Sequence, residues 1–244
     1  MPALNEERSI VSAVNDTLKA FKDYSINGEI IVVNDGSTDN TRDLVQHLTQ
    51  INPCVRILNH PAPQGIGASF WDGVDAAQTD AVVVLPGDNE NEPNEIFRYY
   101  RLLEHVDMVI PFIYNREVRP ILRNMLSLAY RLIINASFVV NFNYTNGTVL
   151  YRKSILKELD YRSEGFFFQT DILVRTVKKG YLFAEVPYRV GLRKGGGSKA
   201  IAFPTLMQVV KGYFKLVKDY YLRKNKQEST KYSEDSATIL RRKN

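Results

Sequence analysis

Four short runs of aliphatic and β-branched residues set the frame of this chain: EIIVVN (29–34), VRILN (55–59), AVVVLP (81–86) and DMVIPF (107–112). Continuous apolar runs of this length read as strands buried on both faces. Helical patterns separate them. Residues 7–22 put Ile10, Val11, Val14, Leu18 and Phe21 on one stripe, TRDLVQHLTQ follows the capping residues Ser37, Thr38 and Asp39, and two more helices are expected over 68–78 and 94–104. Strand and helix in this alternation predict an α/β fold with a mostly parallel central sheet and right-handed crossovers. The pattern then changes. A helix is expected over 119–137, with Leu122, Met125, Leu126, Ala129, Leu132 and Ile133 on its apolar stripe. Strands are expected at 148–152 and 182–190, with the helix DILVRTVKKG between them, and an amphipathic helix over 205–224. The last stretch, from 225, is polar and predicts disorder. No strand-like run precedes the first loop, so either the chain starts after an initial strand or the fold dispenses with one.

Composition narrows the class. Apolar residues make up 44% and charged residues 24%, ordinary values for a globular domain. Cys54 is the only cysteine, which excludes an internal disulfide and a cysteine-rich zinc site and fits a reducing compartment. His47, His60 and His105 show no ligand spacing and read as structural or surface residues. No uncharged apolar run approaches the roughly 20 residues a membrane span requires. The opening MPALNEERS carries carboxylates where a leader peptide is basic. These features predict a cytoplasmic protein without a transmembrane helix. The net charge of +5 is local: residues 199–226 hold seven Lys and Arg against the single acid Asp219, so the remainder is slightly negative. That argues against nucleic acid as a partner and for an anionic surface met by one segment. The 205–224 helix could pack on its own domain or a partner helix. It could instead lie on the inner face of an anionic membrane, its lysines snorkelling and Phe203, Phe214 and Tyr221 at the interface.

Chemistry-bearing residues gather where strands end. AVVVLP runs into Gly87 and Asp88, with Glu90 and Glu92 close behind. Open α/β sheets bind ligands outside the carboxyl ends of their strands, so these acids point to a cation, a sugar or a turn. In VNDGSTDNT (33–41), Asp35 could accept hydrogen bonds from a nucleobase or ribose, with Gly36 allowing close approach, or the segment could simply cap a helix. Gly65 and Gly67 could form a ligand loop or a tight turn. Arg119, Arg123 and Arg131 on one helix could hold an anion or form a solvated stripe, and Lys194 to Lys199 could close over phosphates or be an ordinary loop.

Taken together, Pro-Ala-Leu-Asn-Glu-Glu (2–7), Val-Asn-Asp-Gly-Ser-Thr-Asp-Asn-Thr (33–41), Gly-Ile-Gly-Ala (65–68) and Gly-Asp (87–88) resemble the nucleotide-sugar half of the family 2 glycosyltransferases. Asn143 to Gly147, Gly165 to Asp171, Glu185-Val186-Pro187 and the run Arg193 to Lys199 resemble its polyprenyl-phosphate branch, that of the dolichol-phosphate mannose synthases. The resemblance implies a Rossmann-like glycosyltransferase domain over 1–200, followed by a basic helix over 201–226 and a disordered tail over 227–244. It implies an inverting enzyme that moves a hexose from a nucleotide sugar (GDP-mannose or a UDP-sugar) to a polyprenyl phosphate. A hydroxyl acceptor, or a non-catalytic nucleotide- or partner-binding role, is the alternative. Pro2, Ala3, Asn5 and Glu6 would line the base and ribose pocket with Asp35 and Gly65. Asp88 and Glu90 would hold Mg²⁺ or Mn²⁺, Pro86 standing where the family's first metal-binding acid is usual. Arg123 and Ser127 would hold the acceptor phosphate, with Arg116 or Arg119 in place of a further basic residue after the fourth strand. Arg193, Ser198 and Lys199 would close over the phosphates. Asp171 would orient the site for a phosphate acceptor, or act as general base for a hydroxyl one.

Overall fold

A computed structural model of the chain describes residues 1–190, 203–222 and 232–243. The elements run β1 (Pro2–Ala3), α1 (Ile10–Asp23), β2 (Ile30–Asn34), α2 (Thr41–Ile51), β3 (Val55–Asn59), α3 (Ile66–Ala76), β4 (Ala81–Val83), α4 (Pro93–Phe97), β5 (Met108–Ile113), α5 (Ile121–Phe138), β6 (Leu150–Arg152), α6 (Lys153–Lys157), α7 (Phe168–Lys179), β7 (Phe183–Tyr188), α8 (Phe203–Leu222) and α9 (Ala237–Lys243). Short 3₁₀ turns follow α4 and β5.

β1, β2 and β3 form one parallel sheet, and a second sheet has the order β4-β6-β5-β7. β5 and β7 are parallel over six residue pairs, Met108 with Phe183 through Ile113 with Tyr188. β6 runs antiparallel to both its neighbours, the one reversal in the sheets described here. All five residues of β2 are buried, as a continuous apolar run requires of a central strand. Between Ile30 on one sheet and Val82 on the other lies an apolar cavity of about 670 Å³, reaching Phe21, Phe70 and Val74.

Three expectations are corrected. A first strand exists, but it is two residues long: Pro2 and Ala3 pair with Val33 and Asn34. The C-terminal stretch is not a disordered tail over its described part. Asp107, fully buried, accepts the N–H groups of Ala237 (2.7 Å) and Thr238 (3.2 Å), and so pins the first turn of α9 to the start of β5. A carboxylate there satisfies the free N–H groups that open any helix and complements its dipole. Finally, α5 is turned over. Its apolar stripe is exposed, and its arginine side, for which a solvated stripe was one reading, is half-buried and faces the protein. Periodicity specifies that a helix has two faces, not which one is covered.

α8 is held to the domain along one side. Leu216 is buried, Gly212 lets the helix approach Phe167 so closely that a Cβ would sit 2.7 Å from that ring, and Asp219 pairs with Arg175 of α7 at 2.9 Å. Tyr213 shares a 2.7 Å hydrogen bond with Ser137 of α5, and Phe138 packs edge-on against Tyr213 and Tyr220.

Candidate active site

The carboxyl ends of β1, β2 and β4 meet through main-chain bonds. The Pro2 carbonyl accepts the Gly87 N–H at 2.9 Å, and the Ala3 carbonyl accepts the Asp35 N–H at 2.8 Å. Gly87 suits this close approach: a Cβ would lie 2.8 Å from Ile10 Cδ1 and 3.2 Å from Ala3 Cβ, and the Ile10 side chain would have to shift. The loop after β1 is tied to the loop after β2. Asn5, in the left-handed region at φ 56°, accepts the Thr38 N–H on Oδ1 at 2.8 Å and donates its own N–H to Ser37 Oγ at 3.0 Å. The Glu6 N–H reaches Thr41 Oγ1 at 2.8 Å, and its carboxylate accepts the Ser9 hydroxyl at 2.9 Å. Pro2, Ala3, Asn5, Glu6 and Asp35 are thus brought together at one rim of the sheet.

Asp35 is buried and already engaged. Oδ1 lies 2.7 Å from His60 Nδ1 and accepts the Gln64 N–H at 2.7 Å, while Oδ2 accepts the Gly65 N–H at 2.9 Å. His60 reaches on to Asp72 at 2.9 Å, the structural role expected of it. Asp35 therefore shapes the 60–65 loop as well as the rim. Gly36, at φ 71°, sits against that loop so tightly that a Cβ would be 2.6 Å from the Ala62 carbonyl carbon. Gly65 and Gly67 serve a similar close approach: a Cβ on Gly67 would lie 2.5 Å from the Glu164 carbonyl carbon.

Beyond β4, Asp88 and Glu90 stand in one turn. Asp88 Oδ1 accepts the Glu90 N–H at 3.0 Å, and Asn89 between them takes φ 54°. Among the described residues no group of three or more His, Cys, Asp or Glu side chains could by itself hold a metal ion. Two half-buried carboxylates in one turn fit a hard divalent cation whose other positions come from phosphate oxygens and water, the usual way Mg²⁺ is held.

A second cluster lies after β5. Arg116, Arg119 and Arg131 line one small cavity with Asn124, Ser127, Asn143 and Tyr144. Ser127 is there as expected; Arg123 is not among the lining residues, and Arg131 takes its place. Arg119 also donates to the Tyr144 hydroxyl at 3.4 Å. The two clusters converge on Tyr188, at the end of β7, whose hydroxyl donates to Asn91 Oδ1 at 3.0 Å. Burial raises the pKa of this hydroxyl well above the usual tyrosine range; Tyr144, Asp88 and Glu90 push it the same way, and Arg119 pulls it down. Sequence patterns did not single out Tyr188 or Asn91, because their role comes from strand ends that meet only in the fold.

Asp171 is committed to other partners. It is 1% exposed and accepts from Arg175 Nε at 2.9 Å, and the same guanidinium reaches Asp219 of α8. Burial pushes its carboxyl above the usual range, against the pull of Arg175. Its hydrogen-bonding and ion-pair partners do not include the Asp88 turn or the arginine cavity. Arg193, Ser198 and Lys199 lie outside the described residues.

An α/β sheet with an acidic turn and an arginine-lined cavity at its strand ends fits an enzyme that handles phosphorylated substrates. Residues 1–160 match the Glycosyl transferase family 2 model, and the chain belongs to that family. It is 28% identical over 214 residues to an undecaprenyl-phosphate mannosyltransferase of Micrococcus luteus, covering 82% of this chain and 85% of that protein. It is 24% identical over 211 residues to a dolichyl-phosphate beta-glucosyltransferase of Trichomonas vaginalis, covering 77% of this chain and 61% of that one. Among solved structures, glucosyl-3-phosphoglycerate synthase of Mycobacterium tuberculosis shares the fold, with a TM-score of 0.67 at 20% identity over 88% of this chain and 77% of that one; its crystals hold Mn²⁺, UDP and glucosyl-3-phosphoglycerate.

Proposed function

We propose that this glycosyltransferase moves a hexose from a nucleotide sugar, GDP-mannose or a UDP-sugar, to a polyprenyl phosphate at the surface of an anionic membrane. The observation that carries the reading is the place of Tyr188, whose hydroxyl reaches Asn91, next to Glu90 in the chain, and which pairs with Ile113 in the lining of the arginine cavity, so that a turn able to hold a cation neighbours a cavity able to hold an anion. The polyprenyl-phosphate and dolichyl-phosphate acceptors in the names of the relatives support the lipid acceptor.

The loops carrying Asn5, Glu6 and Asp35 would form the base and ribose wall, and Gly65 would hold the turn beside it. Asp88 and Glu90 would hold Mg²⁺ or Mn²⁺, which supplies positive charge against the departing diphosphate when bound. Arg116, Arg119, Arg131 and Ser127 would hold the acceptor phosphate, guanidinium groups matching its oxygens in pairs. Arg123 would flank that cavity from the same helix. Arg193, Ser198 and Lys199 are assigned to closure over the phosphates on sequence grounds alone.

One oxygen of the acceptor phosphate attacks the anomeric carbon. The new carbon–oxygen bond forms as the bond to the diphosphate breaks, its electron pair leaving on the nucleoside diphosphate. A single displacement inverts the anomeric centre. A phosphate monoanion or dianion needs no base to release a nucleophile, whereas a sugar hydroxyl does. The burial of Asp171 and its pairing with Arg175 suit the first case, since a carboxylate committed to a guanidinium is poorly placed to take a proton. Asp171 would then position the site by fixing α7 to α8, whose exposed residues Phe214 and Tyr221, with Lys211 and Lys218, would rest on the membrane.

The test is an acceptor panel. The purified chain is given GDP-mannose or UDP-glucose with Mn²⁺ and offered a detergent-dispersed polyprenyl phosphate, free saccharides or phosphoglycerate. Product on the polyprenyl phosphate alone is the expected result. Transfer only to a hydroxyl acceptor overturns the lipid-phosphate reading.

A further inference from the structure

Three successive residues at the end of β7 are tied to the segment that follows the acidic turn. The Pro187 carbonyl accepts the Tyr99 hydroxyl at 2.8 Å, the Tyr188 hydroxyl donates to Asn91 Oδ1 at 3.0 Å, and the Arg189 N–H donates to Glu95 Oε2 at 3.0 Å. The middle bond stands apart. Both of its partners are side chains, Tyr188 is 3% exposed, and Asn91 follows Glu90 directly. Thr148, also buried, brings its hydroxyl to the same Asn91 oxygen at 3.5 Å. The Tyr188 ring sits in one apolar cluster with Leu85, Ile113 and Leu150, and Leu85 lies three residues before Asp88. On its other side the turn is held by the Gly87 N–H on the Pro2 carbonyl and by Asn89 Nδ2 on Asp16 of α1, each at 2.9 Å. β4, which leads into the turn, and β7 are opposite edges of their sheet. The bond from Tyr188 to Asn91 therefore spans the end of that sheet, a reach that strand pairing does not call for.

We infer that Tyr188 and Asn91 are positioning residues for the glycosyl transfer: their hydrogen bond fixes the Asp88–Glu90 turn in the arrangement that takes the divalent cation, a role that rests on the cation reading of that turn given above. Two carboxylates on one turn hold a cation well only when both present an oxygen to it, and Mg²⁺ demands near-octahedral geometry. Phosphate oxygens and water adjust to the ion, whereas the carboxylates go where the backbone puts them. A fixed point one residue beyond Glu90 sets that backbone. Side chains that orient ligands without being ligands change metal affinity by about ten- to a hundredfold when removed. The ring of Tyr188 fills the apolar cluster and the hydroxyl makes the bond, so packing and positioning separate in one substitution. Tyr188→Phe keeps the first and removes the second, and Asn91→Ala removes the acceptor from the other end.

The test measures Mn²⁺ binding by electron paramagnetic resonance, with GDP or UDP present, to the full chain and to Tyr188→Phe, Asn91→Ala and the double variant. Each single substitution is expected to weaken Mn²⁺ binding by about tenfold. The double variant should bind no more weakly than the weaker single one, because both substitutions remove the same bond. Nucleotide affinity without metal should stay within about twofold of wild type, and Tyr188→Phe should lower the melting temperature by no more than about 4 °C. In transfer assays the shortfall of Tyr188→Phe should close as Mn²⁺ is raised, with the KM for a detergent-dispersed polyprenyl phosphate unmoved, a split that general loss of fold does not produce. Mn²⁺ affinity equal to wild type in both single variants overturns the inference, as do losses that add in the double variant. A wild type that binds no Mn²⁺ with either nucleotide overturns the cation reading of the turn itself, and the positioning role with it.

Discussion

Asp88 and Glu90 carry the acidic half of the proposed site, and besides the Asp88 carboxylate's own bond to the Glu90 N–H, the turn that presents them is tied by the Gly87 N–H to the Pro2 carbonyl and by Asn89 to Asp16. Asp88→Ala should therefore lower transfer by about a hundredfold or more, through loss of cation-mediated charge stabilisation. Its melting temperature should stay within about 2 °C of wild type, as for a surface substitution. A variant that retains turnover removes Asp88 from the metal site. Gly36 makes the opposite case. With φ at 71° and backbone 2.6 Å from where a Cβ would sit, Gly36→Ala should cost about 2 kcal/mol or more in denaturant unfolding. The strand-end acids and glycines were legible in the sequence because their neighbours in the chain give them away. Tyr188 and Asn91 were not, since the bond between them joins strand ends distant in sequence.

At the level of elements, local pattern located the strands and helices well but could not assign their partners. The runs at 29–34, 55–59 and 107–112 became β2, β3 and β5 nearly residue for residue. The helix over 119–137 was found, yet its outward apolar face was not foreseen. A stripe of Leu and Ile has the same period whether it meets a core or a bilayer. The C-terminal segment was misread for a different reason. Its polar composition predicts disorder, and it is ordered by Asp107, 130 residues earlier, through the Ala237 N–H and the Thr238 N–H. Asp107→Ala should orphan these buried donors at about 1–3 kcal/mol each. Limited proteolysis should then cut within 232–243 before the rest of the chain. Equal protection of that segment in both proteins shows that α9 is held by something other than the carboxylate.

Over the whole molecule, the two sheets divide the work. The parallel β1-β2-β3 sheet sets the loops proposed as the nucleotide wall. The mixed β4-β6-β5-β7 sheet carries the acidic turn, the arginine cavity and Tyr188. α/β alternation gave the first sheet and much of the second, whereas the reversal of β6 had no signature, since a three-residue strand is too short to declare its direction. The central claim is that the acids at the sheet rim grip a cation-bridged nucleoside diphosphate. Isothermal titration calorimetry of GDP and of UDP, with and without Mn²⁺, on the wild type and on Asp88→Ala, tests it most directly. The account expects one nucleotide to bind the wild type at least about tenfold more tightly with Mn²⁺, a gain of about 1.4 kcal/mol that Asp88→Ala abolishes. Binding indifferent to the metal, or a metal effect that survives loss of Asp88, would contradict it.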